Sequence, residues 1–177
     1  MHQAGQNLLM EITETQIAQA HDALSFEHPA DTCWQAWFDG SAKPNPGTLG
    51  IGLVLLSPLK QRYEKSERLA CQGCNNEAEL YALCAVFEMA FAAGARRLLV
   101  RGDSDVAIRY VLKLDSTTIE PLKTQVAQAQ QWLECFDEVC LQWIPRHRNR
   151  DADRLSRQAL GLPEKLLVLI KKKRRQR

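Results

Sequence analysis

Cys33-Trp34-Gln35-Ala36-Trp37-Phe38, then Asp39-Gly40-Ser41-Ala42-Lys43-Pro44-Asn45-Pro46-Gly47, then Gly50-Ile51-Gly52-Leu53-Val54-Leu55-Leu56, is the stretch that decides the fold. Two apolar runs flank a loop of Gly, Pro, Asn and Ser, the pattern of paired strands joined by a turn. Asp39 stands where the first run ends. A carboxylate there is partly desolvated, which costs free energy unless a cation or hydrogen-bond donors meet it. Alone, Asp39 also reads as a turn-initiating Asp. The rest of the chain decides between the two.

Beyond this hairpin, Ser57-Pro58-Leu59-Lys60 makes a turn and Tyr63 to Cys71 reads as a third, edge-like antiparallel strand. Asn75 or Asn76 is placed to cap a helix with the apolar body Ala78 to Phe91, ending at Gly94. Arg97 to Arg101 is a short strand followed by Gly102-Asp103-Ser104-Asp105, with a short helix from Val106 to Leu112. Ile119 to Phe136 carries a longer helical pattern with Pro121 at an allowed early position. Val139 to Ile144 is the last strand, stopped by Pro145, and a final helix runs from near Arg150 to Gly161. Three meander strands followed by strands reached through helical crossovers predict an α/β fold: a five-stranded mixed sheet flanked by helices in three layers.

The flanks differ from this body. Apolar residues at Leu9, Ile12, Ile17, Ala20 and Leu24 predict a helical extension over 1–31, ahead of a main domain at 32–162. Residues 163–177 form a basic tail, six of whose last seven residues are Lys or Arg. Without those six, 17 bases face 21 acids, so the remainder carries a net charge of −4. A basic tail suits a polyanionic partner. No apolar run approaches the roughly 20 residues of a spanning helix, so no membrane role is expected. The start lacks a signal-peptide pattern, and a cytoplasmic location is the expectation. The six cysteines fit that compartment as free thiols. Cys71-Gln72-Gly73-Cys74 is a lone CxxC without the second pair or His that a zinc site needs.

Four acids fall where a site could form: Asp39 at the end of the first strand, Asp103 at the end of the fourth, Glu79 one turn into the central helix, and Asp153 in the first turn of the last. If the first and fourth strands are parallel neighbours, Asp39 and Asp103 meet over the strand ends and the helix acids close the cluster. Carboxylates this close raise one another's pKa and call for cations. An all-oxygen ligand set favours Mg²⁺ or Mn²⁺ over zinc.

Phe38-Asp39-Gly40-Ser41 with Asn45-Pro46-Gly47, Asn75-Asn76-Glu77-Ala78-Glu79-Leu80, Gly102-Asp103-Ser104, and Asn149-Arg150-Asp151-Ala152-Asp153-Arg154-Leu155 resemble, in order, the motifs of type 1 ribonuclease H. The resemblance covers nearly all of residues 33 to 160. It implies a ribonuclease H-like fold and an endoribonuclease hydrolysing the RNA strand of an RNA/DNA hybrid. It further implies two metal ions (Mg²⁺, with Mn²⁺ as substitute), Asp39 bridging both and Glu79, Asp103 and Asp153 completing the shells. By the same resemblance Gly40, Ser41, Asn45 and Asn75 contact the hybrid, and Arg157 is a candidate phosphate contact. Two departures stand out: Asp105 replaces a Gln of some members, and the basic protrusion of larger bacterial members is missing between Lys113 and Phe136. His147 lies in the loop where members often carry a His, as a proton-transfer group or a solvated residue. A non-cleaving nucleic-acid-binding module, or a resolvase or exonuclease of the same superfamily, is the alternative; clustered negative charge near phosphates argues against binding alone.

Overall fold

A computed structural model describes residues 32–163. The expected helical extension at 1–31 and all but the first residue of the basic tail lie outside them. The described residues run β1 (Trp34–Lys43), β2 (Gly47–Leu56), β3 (Arg62–Gly73), α1 (Asn75–Ala92), β4 (Arg97–Gly102), α2 (Asp105–Val111), α3 (Glu120–Leu133), β5 (Glu138–Trp143), a 3₁₀ turn (Arg146–Arg148) and α4 (Arg150–Ala159). This is the expected α/β order. The strands form one mixed sheet in the order β3-β2-β1-β4-β5. β1 to β3 are antiparallel, while β4 and β5 join in parallel. The parallel joins follow because the connections before β4 and β5 carry helices across the sheet. β3 is the mostly exposed edge, and its alternating Lys, Glu and Arg keep that edge soluble.

Helices cover both faces. α1 packs on β1 and β2 and carries a buried set that includes Leu80, Leu83, Val86 and Phe87. These residues meet Ala36 and Phe38 of β1 and Leu98 and Val100 of β4 to make the core. α3 lies outside α1, where Phe87 and Phe91 meet Phe136 with ring centroids 5.9 and 6.0 Å apart. On the other face α4 packs on β1, β2 and β3 with the stripe Ala152, Asp153, Leu155 and Ser156 buried. Among the described residues no helix is long and apolar enough to cross a membrane.

Two expectations are corrected. β1 does not stop at Asp39 but runs on to Lys43, because pairing with β2 continues from Gln35↔Leu56 to Lys43↔Thr48. What stops early is its pairing with β4, whose last matched residues are Trp37 and Arg101. The sheet therefore forks just before Asp39. The second correction is at the start of α1, where Cys74, and neither Asn75 nor Asn76, is the N-cap residue. The Glu77 carboxylate takes the Cys74 N–H at 2.8 Å, the half of a capping box in which the third helical residue reaches back to the cap. That leaves Asn75 for another purpose.

Candidate active site

The fork in the sheet makes room for acids. Asp39 lies on β1 just past the last β1–β4 pair, and Asp103 follows the last residue of β4. Glu79 comes to them from α1, whose approach depends on Gly40. A Cβ at Gly40 would stand 2.1 Å from the Ala78 carbonyl carbon and 2.3 Å from the Glu79 nitrogen, so the helix backbone touches the strand there. The Gly40 N–H donates to Glu79 Oε2 at 3.2 Å. One carboxylate oxygen from each of Asp39, Glu79 and Asp103 falls within 4.8 Å of the others. Asp39 is 1% exposed.

Burial and mutual repulsion set the charge of this triad. Burial drives the Asp39 carboxyl up to about 7, a hydrogen bond from Ser156 opposes the rise, and Asp103 and Asp153 add to it. Glu79 is pushed well above the ordinary range by burial first and then by Asp39 and Asp103, against the pull of the Gly40 N–H. Such a set is short of positive charge. Three oxygens from hard carboxylates, close enough to share an ion, suit Mg²⁺ or Mn²⁺. The residues present fit a divalent cation.

Asp153 stands beside the triad and is differently engaged. It comes from the fourth residue of α4, and its Oδ1 takes both Nη2 and Nε of Arg146 at 2.6 and 3.1 Å. Arg146 is 62% exposed along its side chain, Asp153 only 11%. The guanidinium thus brings a formal positive charge to the rim of the acidic cluster from the solvent side.

Three further residues carry little signal in the sequence. Asn149, buried, donates through Nδ2 to Asp103 Oδ1 at 2.6 Å and to the Phe38 carbonyl at 2.8 Å. Ser156 donates its hydroxyl to Asp39 Oδ2. The indole N–H of the exposed Trp143 donates to the Asp103 carbonyl at 3.2 Å. Asn149 is visible only as the first letter of a motif. Ser156 has one signal, a polar residue three positions after Asp153 on the face that packs inward.

The expected substrate contacts are placed less simply. The Gly40 N–H is already engaged with Glu79. The Ser41 hydroxyl faces Ser156 at 3.1 Å. Asn75 Oδ1 accepts the Ala42 N–H at 2.8 Å, and Asn45 Oδ1 accepts the Asn75 N–H at 3.1 Å. These two bonds tie the β1–β2 turn to the start of α1. Asn45 and Asn75 are both exposed, and their Nδ2 groups have no partner among the described residues. Arg157 folds back to give Nη2 to the Pro163 carbonyl at 2.9 Å. His147 is exposed, and its carbonyl takes Arg150 Nε at 2.9 Å. The cysteines are free, and Cys71 and Cys74 belong to no cluster of metal ligands among the described residues.

Residues 37–159 match the family model described as "Reverse transcriptase-like". The ribonuclease HI of Halobacterium salinarum is 31% identical over 125 residues, which are 71% of this chain and 63% of that protein. The chain thus spans under two thirds of that relative's length. The crystal structure of RNase H1 from the same archaeon superposes with a TM-score of 0.70 at 31% identity, over 73% of this chain and 98% of that one. LC11-RNase H1, solved in complex with an RNA/DNA hybrid, superposes with a TM-score of 0.66 at 27% identity, over 72% of this chain and 96% of that one.

Proposed function

The chain belongs to the ribonuclease H type 1 family, and from that membership we propose that it is an endoribonuclease cleaving the RNA strand of RNA/DNA hybrids with bound Mg²⁺. The observation that carries this is the convergence of Asp39, Glu79 and Asp103 within 4.8 Å in a forked sheet. Asp39, Glu79, Asp103 and Asp153 hold the metal, with Mn²⁺ as a substitute. When bound, divalent ions supply Lewis acidity that activates water and stabilises the departing 3′ oxygen.

The protein's own residues do the positioning. Gly40 orients Glu79, Asn149 orients Asp103, and Arg146 holds Asp153 beside the cluster. The Nδ2 groups of Asn45 and Asn75 are pre-oriented by their own Oδ1 bonds to donate to sugar or base edges. Exposed donors oriented in this way suit the wide minor groove of a hybrid, where the 2′-hydroxyl marks the RNA strand. Arg157 and the Ser41 hydroxyl are engaged inside the protein, so their support as direct substrate contacts is weaker.

The test is cleavage of labelled RNA/DNA hybrid, double-stranded RNA and double-stranded DNA, each with Mg²⁺, Mn²⁺ or chelator. Hybrid-specific, chelator-sensitive cleavage that Asp39→Asn abolishes is the expected result. Equal cleavage of double-stranded DNA, or activity surviving in Asp39→Asn, overturns the reading.

A further inference from the structure

Ser156 is fully buried on the inward stripe of α4, beside Ala152 and Leu155, where an apolar residue would satisfy packing alone. A buried hydroxyl is costly unless bonded. It could meet that need within its own helix, since the Asp153 carbonyl lies 3.1 Å away. Two other groups also reach it, however: Asp39 Oδ2 from β1 and the Ser41 hydroxyl, at 3.1 Å, from the same strand. Ser156 has one proton to give, and a carboxylate is the strongest acceptor of the three. The Ser41 hydroxyl is then the donor to Ser156, which makes a directed chain from Ser41 through Ser156 to Asp39.

The backbone is shaped for this contact. Gly52 sits opposite Asp39 in the β1–β2 register. A Cβ on Gly52 would fall 2.2 Å from the Ala152 carbonyl oxygen and 2.3 Å from the Ser156 nitrogen. A Cβ on Gly50, one pleat along, would fall 2.7 Å from the Ser156 carbonyl oxygen. Two side-chain-free positions therefore let α4 lie directly on the sheet at the point where Ser156 reaches Asp39. Asp39 Oδ2 is held, and Oδ1 accepts no hydrogen bond among the described residues.

We infer that Ser156, backed by Ser41, is a positioning residue that fixes the rotation of the Asp39 carboxylate and so presents it to the metal. This rests on the metal-site reading above. A carboxylate anchored at one oxygen offers one defined orientation, whereas an unanchored one must be ordered when the ion arrives.

The experiment is calorimetric titration of the full chain with Mn²⁺ in the absence of nucleic acid, for the native protein, Ser156→Ala, Ser41→Ala and the double variant. Ser156→Ala weakens Mn²⁺ binding by about tenfold, the scale of losing a group that orients a ligand. Ser41→Ala gives a smaller loss, and the double variant is no weaker than Ser156→Ala because the chain passes through Ser156. Thermal melting checks that each variant folds. In hybrid cleavage Ser156→Ala lowers kcat and leaves KM for the hybrid unchanged. Mn²⁺ binding by Ser156→Ala equal to native, losses that add in the double variant, or a raised KM at unchanged kcat each overturn the inference. Failure of the native protein to bind Mn²⁺ overturns the metal-site reading instead, so the two failures are distinct.

Discussion

Asp39 carries two opposed demands, and its pH behaviour exposes both. Its carboxyl titrates near 7 in the fold against an ordinary value of 3.8, so between those values the native state holds a proton that the unfolded chain releases. Stability of the metal-free protein then falls as pH rises through that window, since the native state binds more protons. The metal-free chain should melt higher at pH 5.5 than at pH 8, and saturating Mg²⁺ should narrow the gap; scanning calorimetry with and without chelator measures it. Asp39→Asn removes the buried charge. Without metal at pH 8 it should gain stability on the order of 3 kcal/mol while losing hybrid cleavage. A denaturant midpoint no higher than native would show that repulsion in the triad is already relieved. At this scale the sequence is partly legible. The three acids that converge can be found because their chemistry is written in the residue type and its place on a strand or helix. The partners of Ser41, Asn45, Asn75 and Arg157 cannot, because a small polar group serves the fold or a ligand equally well until neighbouring backbones are in place.

At the scale of elements, α1 and α4 press on opposite faces of the same few residues of the hairpin. Gly40 admits the Ala78–Glu79 backbone on one side, and Gly50 and Gly52 admit α4 on the other. Gly52→Ala forces α4 off the sheet or bends β2. It should cost about 1–3 kcal/mol, the ordinary penalty of overpacking, and should also weaken Mn²⁺ binding because Asp153 and Ser156 move with the helix. Chemical denaturation and calorimetry read the two effects. Reduced stability with metal affinity intact would mean that α4 does not set the site. Alanine on the exposed surface of β3, as in Lys65→Ala, should change neither by more than about 0.5 kcal/mol. The order of strands and helices is readable from apolar runs and from Gly and Pro punctuation. The fork is not, since the apolar run ends at Asp39 while β1 itself continues to Lys43, and only its change of neighbours marks the break. The start of α1 misleads because an Asn before a helix reads as a cap, whereas the cap falls one residue earlier at Cys74, whose N–H is taken by Glu77.

For the molecule as a whole, charge is unevenly held. Apart from the last seven residues the chain is net negative, with 17 bases against 21 acids, and the proposed site adds a cluster of acids that a polyanion must approach. Residues 171–177 hold six of the bases. If they supply long-range attraction, deleting them should raise KM for the hybrid at moderate salt and reduce the salt slope by about 0.9 for each phosphate they neutralise, with kcat little changed. Initial rates across a salt series decide it; an identical slope assigns the tail no part in binding. The forked sheet carries a mechanical consequence of its own. Asp39 and Asp103 ride on separate prongs, so any splaying of the prongs changes the spacing of the two acids. Asn149 spans the gap like a rivet, one amide holding the Phe38 carbonyl on the first prong and the Asp103 carboxylate on the second. In doing so it leaves its own buried Oδ1 without a hydrogen bond. Cutting the rivet with Asn149→Ala should let the prongs breathe, and faster deuterium uptake at the Asp103 and Ser104 amides, with β2 and α1 still protected, would register that motion directly.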